Sequence, residues 1–232
     1  MNEITYTLIA DGSSDKVFLR IIKWCLDDLY PKLPTKEQYA DFRTLRNPPR
    51  AGDVLGQIKY AENYYPFDIC FYHRDAESND VKKALSLRSC EIYKCLPDHY
   101  QNCVVCIIPV RMMETWLLTD QVAIKAAAGN RNYRENLNLP SINTLEQISG
   151  PKDLLHNLLV EATGNKGRRL KNFNVNKAVH WVAENTEDFS ALRQLAAFNR
   201  FEQDLKRAGI EIVCLGIGDD IPKIFSIQSD IC

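Results

Sequence analysis

Residues 4–29 read ITYTLIADGSSDKVFLRIIKWCLDDL, and the order of signals in this stretch decides the fold class. Residues 4–10 are β-branched and aromatic, the composition of a strand. Asp11-Gly12-Ser13-Ser14-Asp15 then breaks the run. Ser13 or Ser14 can cap a helix, and Asp15 falls in the first turn, where the helix dipole favours an acid. Val17, Phe18, Ile21, Ile22, Cys25, Leu26 and Leu29 follow at helical spacing. Pro31 and Pro34 stop the helix. A strand, a polar turn and a helix in succession make the first half of a βαβ unit.

The same alternation continues downstream. A weak strand is expected near residues 42–45, a loop at Pro48-Pro49 and a helix over 53–64. Residues 68–73 (DICFYH) form a second clear strand ending in Arg74-Asp75-Ala76-Glu77, and a helix is expected from about 80 to 96. Residues 103–110 give the third clear strand, and 112–128 a helix holding Glu114, Trp116, Leu117 and Leu118. Strands alternating with helices imply a parallel α/β sheet. After Gly129 the pattern changes: 130–150 is polar and loop-like, while 152–162, 175–185 and 189–208 have helical periodicity. Residues 210–215 read as a last strand. The expected organisation is an α/β core over 1–128, a helical portion over 129–209 and a strand with a tail over 210–232.

Of the 232 residues, 45% are hydrophobic and 25% charged, which excludes a disordered chain and leaves enough apolar surface for a core. Lys+Arg (29) and Asp+Glu (30) nearly cancel, which excludes a wholesale polybasic binder. Residues 1–10 carry no secretory signal pattern. The most apolar run, 103–110, is far shorter than the ~20 residues of a membrane span. A cytoplasmic protein without membrane contact is expected. Cys103 and Cys106 form a lone CxxC inside a strand, where positions three apart face opposite ways. Buried apolar thiols are the better reading of these cysteines.

Ligands of parallel α/β sheets bind at the carboxyl ends of the strands. Here those ends carry Asp11 and Asp15, then Asp75 and Glu77, then Glu114. Any one of these acids alone reads as a solvated turn residue. Together they repel one another unless a cation joins them. Mg²⁺ (or Mn²⁺) takes such hard oxygens and orients phosphate for attack. His73 lies beside this set, where a structural role outweighs a catalytic one. The second feature is basic: Lys166, Arg168, Arg169, Lys171 and Lys177 fall in 165–183 with no acid among them. With Phe173 and Trp181 interleaved, the segment suits a phosphate backbone and stacked bases, or else an ordinary solvated face. Phe173 and Trp181 each read first as core residues. No GxGxxG, GxxxxGK[ST] or GxSxG pattern occurs, so the dinucleotide, P-loop and nucleophile-elbow readings fail.

Taken in order, Asp11-Gly12-Ser13-Ser14-Asp15, Asp75-Ala76-Glu77, Glu114-Thr115-Trp116-Leu117-Leu118, Pro151-Lys152, the basic residues from Arg168 to Lys171, and Phe198-Asn199-Arg200-Phe201 resemble the Toprim family. The resemblance is to its small stand-alone members in phage defence, the OLD-nuclease and RloB-like group, and spans residues 4–207. Asp stands where the first motif commonly has Glu, and Glu where the second ends in Asp. Each exchange moves the carboxylate oxygens by about an ångström. The resemblance implies a Toprim-like (Rossmann-like), mostly parallel sheet flanked by helices, with a C-terminal helical portion. It implies a Mg²⁺-dependent nuclease that hydrolyses phosphodiester bonds of DNA or RNA, tRNA included, as a toxic effector of anti-phage defence. Asp75 and Glu77 would hold the metal, with Asp11 a further ligand or the general acid/base. Glu114 would orient metal-bound water or brace the site, Asp15 and His73 would be accessory, and the basic segment would hold the nucleic acid. An ATPase partner and a homo-oligomer belong to the same expectation. Two alternatives stay open: a catalytically inactive Toprim-like module that binds nucleic acid or the ATPase, and a phosphotransferase or phosphatase using the same acids.

Overall fold

A computed structural model describes residues 3–76 and 81–216, without the side chains of 81–84 and 209–216. Strands β1 (Ile4–Ile9), β2 (Thr35–Tyr39), β3 (Ile69–His73) and β4 (Val104–Ile107) form one all-parallel sheet in the order β2-β1-β3-β4. The described helices are α1 (Val17–Leu29), α2 (Val54–Tyr64), α3 (Val81–Lys94), the single turn α4 (Asp98–Gln101), α5 (Gln121–Ala127), α6 (Pro151–Thr163), the short α7 (Gly167–Lys171), α8 (Val175–Asn185) and α9 (Ala196–Gly216), of which α1, α2 and α9 pack on the sheet. The chain is thus α/β, with a parallel sheet flanked by helices and a helical C-terminal part.

Strands β3 and β4 are buried along their whole length because helices pack on both faces, which is why they read as unbroken apolar runs. The apolar stripe of α1 (Val17, Phe18, Ile21, Ile22, Cys25, Leu26) is buried as its spacing requires. An aromatic seam ties the sheet to the helical portion. Trp116 packs edge-on to Phe18 (5.5 Å between centroids) and to Phe198 (5.2 Å), and Phe201 reaches Phe71 of β3 at 6.1 Å. One contiguous core includes residues of both portions.

Four elements differ from the sequence expectation. The strand after α1 is β2, TKEQY, and not residues 42–45, which contain a 3₁₀ turn at Phe42–Thr44. β2 is an edge strand paired with β1, and unlike the other edge strand, β4, it is not buried, so it carries no apolar strand signal. The helix expected over 112–128 is a 3₁₀ turn, Met113–Leu117, followed by α5. The break falls at Asp120, whose side chain accepts from Val122 N and Ala123 N and so starts a new helix. A 3₁₀ turn, Ser190–Gln194, likewise precedes α9. The last strand expected at 210–215 is instead the final part of α9. A helix seeded through Phe198, Phe201, Leu205 and Ala208 propagates cheaply, and this overrides the β-branched composition. Among the described residues no helix is long and apolar enough to cross a membrane.

Candidate functional site

The strand order sends the chain outward from β1 to β2 and back past β1 to β3. The crevice between the carboxyl ends of β1 and β3 is therefore the topological switch point, where open α/β sheets bind ligands. A pocket of about 110 Å³ lies there, lined by Asp11, Asp15, His73, Arg74, Asp75 and Arg88.

The loop after β1 is fixed at both ends. Asp15 accepts from Gly12 N (3.0 Å) and from Ser14 Oγ (3.3 Å), and Tyr39 Oη donates to Gly12 O (2.8 Å). Burial raises the Asp15 carboxyl above its usual range, opposed by the Gly12 N–H. Asp15 is thus a brace of the loop, and Asp11, with 58% of its side chain exposed, is the acid the loop presents. Beyond β3 the chain stays extended: Arg74 N donates to Ile107 O (3.1 Å) and Ala76 N to Pro109 O (3.2 Å). Asp75 therefore projects from ordered backbone, with 38% of its side chain exposed.

Sequence reading missed both arginines of the pocket. Arg74 Nη1 lies 3.4 Å from Asp11 Oδ2, bridging the ends of β1 and β3. Its place between His73 and Asp75 was the available signal. Arg88 comes from α3 and carries no strand-end signal.

His73 is buried, edge-on to Phe18 at 4.5 Å, with Nε2 3.6 Å from Asp75 Oδ1. Burial, aided by the Arg74 charge, lowers its pKa to about 3. The ring is neutral at physiological pH, so its contact with Asp75 is no ion pair. Its Nδ1 is buried without a hydrogen-bond partner among the described residues.

Of the acids singled out in the sequence, Asp11, Asp15 and Asp75 meet in the pocket. Glu114 does not line it. It sits in the 3₁₀ turn after β4 at 7% exposure, next to Trp116 of the aromatic seam. That turn is entered through Arg111, a non-glycine residue with a left-handed backbone (φ 64°). Glu77 lies outside the described residues.

Among the described residues no three His, Cys, Asp or Glu side chains stand close enough together to hold a metal. Asp11 and Asp75 supply two partly exposed carboxylates, with Oδ1 of Asp75 buried. That donor set fits a Mg²⁺ that keeps most of its waters, with Arg74 as a competitor for Asp11. Burial pushes the Cys106 thiol up to about 12 and raises Cys70 as well, which disfavours the thiolate a metal would need at these two.

The basic segment occupies α7 and the start of α8. Lys166, Arg168, Arg169, Lys171 and Lys177 are all exposed, and none forms an ion pair among the described residues. Phe173 packs against the core, as expected. Trp181 does not: it is 48% exposed, with Lys177 Nζ 5.4 Å from its ring centroid. The apolar face of α8 is filled by Ala178, Val179, Val182 and Ala183, which leaves Trp181 on the other side. Helix α8 packs on α1, and His180 lies within electrostatic reach of Asp15. Helix α8 thus connects the basic face to α1, the helix that follows the acid loop.

Comparison of the chain with protein-family models, with curated proteins and with solved structures found no match.

Proposed function

We propose that the chain is a divalent-cation-dependent nuclease on a Toprim-like plan, cutting phosphodiester bonds of DNA or RNA. The observation that carries this reading is the placement of Asp11 and Asp75 on either side of the β1/β3 crevice, lining one pocket. The described carboxylates that would hold the cation are Asp11 and Asp75. A bound Mg²⁺ would supply charge for the phosphate oxygens and a more acidic water. The chain's own residues do the rest. Asp15 holds the Asp11 loop in place. Arg74 and Arg88 face the pocket and bind phosphoryl oxygens, which suits planar, charge-assisted donors. Neutral His73 packs beside Asp75, with Nε2 3.6 Å from its Oδ1. The exposed cations of α7 and α8 grip the backbone, and Trp181 gives a flat surface for an unpaired base.

The test is incubation with DNA, tRNA and total RNA under Mg²⁺ or Mn²⁺, beside the Asp75→Asn variant. Metal-dependent cleavage by the wild type and none by the variant is expected. Wild-type protein that leaves every nucleic acid intact overturns the reading, and turnover of a small phosphate ester in its place would make the chain a phosphatase.

A second reading is favoured by the Arg74–Asp11 contact and by the lack of a three-ligand cluster among the described residues. In it the pocket holds an anion without a cation, and the chain is a non-catalytic nucleic-acid-binding module. Nucleic-acid binding that needs no divalent ion, without cleavage, identifies that case.

A further inference from the structure

A second cleft, of about 220 Å³, opens on the other side of Asp11, over the carboxyl ends of β1 and β2. Tyr39, Phe42, Pro48 and Pro49 give it flat apolar walls, Gln57 of α2 lies in its lining, and Asp11 is common to both pockets. Gln57 is 6% exposed. An amide offers two donors and two acceptor positions, and among the described residues one of these four is used.

The orientation of Gln57 follows from its neighbours. Arg74 Nη2 donates to Tyr72 Oη at 3.5 Å, since a guanidinium can only donate. The Tyr72 proton is then free for Gln57, and Tyr72 Oη donates to Gln57 Oε1 at 2.5 Å. With its oxygen used, the amide's NH₂ group has no partner among the described residues and is left to a ligand. The cleft therefore offers stacking surfaces and a positioned donor, linked through Tyr72 and Arg74 to the pocket at Asp11. Ligand sites for drug-sized molecules run to roughly 300–1,000 Å³, so this one suits a single planar ring system.

We propose that this cleft is a nucleobase subsite. It takes the base next to the phosphate bound at Asp11 and Arg74, with Gln57 donating to a ring nitrogen or carbonyl of that base. The proposal rests on the nuclease reading for the position of the phosphate only. A base held here fixes which phosphodiester enters the pocket, so the subsite confers base preference on the reaction.

The test is calorimetric titration of the whole chain with nucleosides, nucleoside monophosphates and ribose 5-phosphate. Variants are Gln57→Glu, which keeps the acceptor for Tyr72 but loses the donor, and Ala51→Trp, which fills the cleft from an exposed loop. Expected is a preference of about tenfold for nucleoside monophosphates over ribose 5-phosphate, the scale of one stacked base, abolished in both variants. Equal affinity for the two, or a preference untouched by both variants, overturns the subsite. If nucleosides bind and their phosphates add nothing, the subsite stands and the phosphate pocket fails.

Discussion

The strand-end pocket and the α7–α8 face are both charged, yet they are built in opposite ways. In the pocket Asp11, Asp15 and Arg74 are tied to one another or to the backbone. Asp15 is held by Gly12 and Ser14, Asp11 by Arg74, and Arg74 also reaches Tyr72. On the basic face five cations stand exposed with no ion-pair partner among the described residues, and only Lys177 has a neighbour for its charge, the ring of Trp181. Fixed groups suit chemistry, which depends on geometry held within fractions of an ångström. Free cations suit a polyanion, whose binding comes from charge and counterion release and tolerates varied geometry. This difference fits the proposed function, in which one region acts on a bond while the other collects the substrate.

The largest effect expected to separate the two is at Asp75. Asp75→Asn reduces metal-dependent cleavage to background while gel-shift affinity for the same nucleic acid stays within about threefold, less than one phosphate contact removes. Loss of binding and cleavage together would erase the distinction.

Acid provides the next. The folded-state pKa of His73 is depressed to about 3 from 6.5, so below pH 6.5 the unfolded chain takes up a proton that the folded chain refuses. Stability contributed by the neutral ring is present above pH 6.5 and is lost as pH falls toward 3. One proton sets a slope of up to about 1.4 kcal/mol per pH unit. Chemical denaturation from pH 7 to 4 is expected to show this limb, to lose it in His73→Leu, and to keep it in variants of α7.

On the basic face, Arg168→Ala with Arg169→Ala is expected to weaken binding uniformly across sequences. The slope of log K against log salt should fall by roughly 0.7–0.9 for each phosphate contact removed. The rate of cleavage at saturating substrate should not change. The smallest effect is expected at Trp181: Trp181→Ala loses about 1–3 kcal/mol on single strands and nothing on duplex, while Trp181→Phe keeps part of it. Trp116 is fully buried and Trp24 partly buried against the core, so quenching of exposed tryptophan fluorescence reports this contact directly.

What could be read from the sequence follows the same contrast between enclosed and exposed positions. Strands β1, β3 and β4 were legible because helices enclose them, the edge strand β4 included, and enclosed strands are apolar. Strand β2 was not, since the polar edge sequence TKEQY is held by pairing to β1 and not by burial. The break at Asp120 was present as a helix-capping residue but hidden inside an apolar periodicity. Asp11, Asp15 and Asp75 could be placed because each follows a strand directly. Arg88 could not, because it reaches the pocket from a helix, and neither could the burial of Glu114, which a left-handed turn at Arg111 sets apart from the lining. Trp181 was misjudged because an aromatic on an amphipathic helix usually faces inward, and here smaller residues fill that face.

In the proposed function Asp11 and Asp75 together hold a divalent cation over the β1/β3 crevice. The most direct measurement is a calorimetric titration of Mg²⁺ and Mn²⁺ into the wild type, Asp11→Asn and Asp75→Asn at matched ionic strength. Binding by the wild type that is lost in both variants is the predicted result. A wild type that takes up no divalent ion, or variants that bind as the wild type does, would contradict the account.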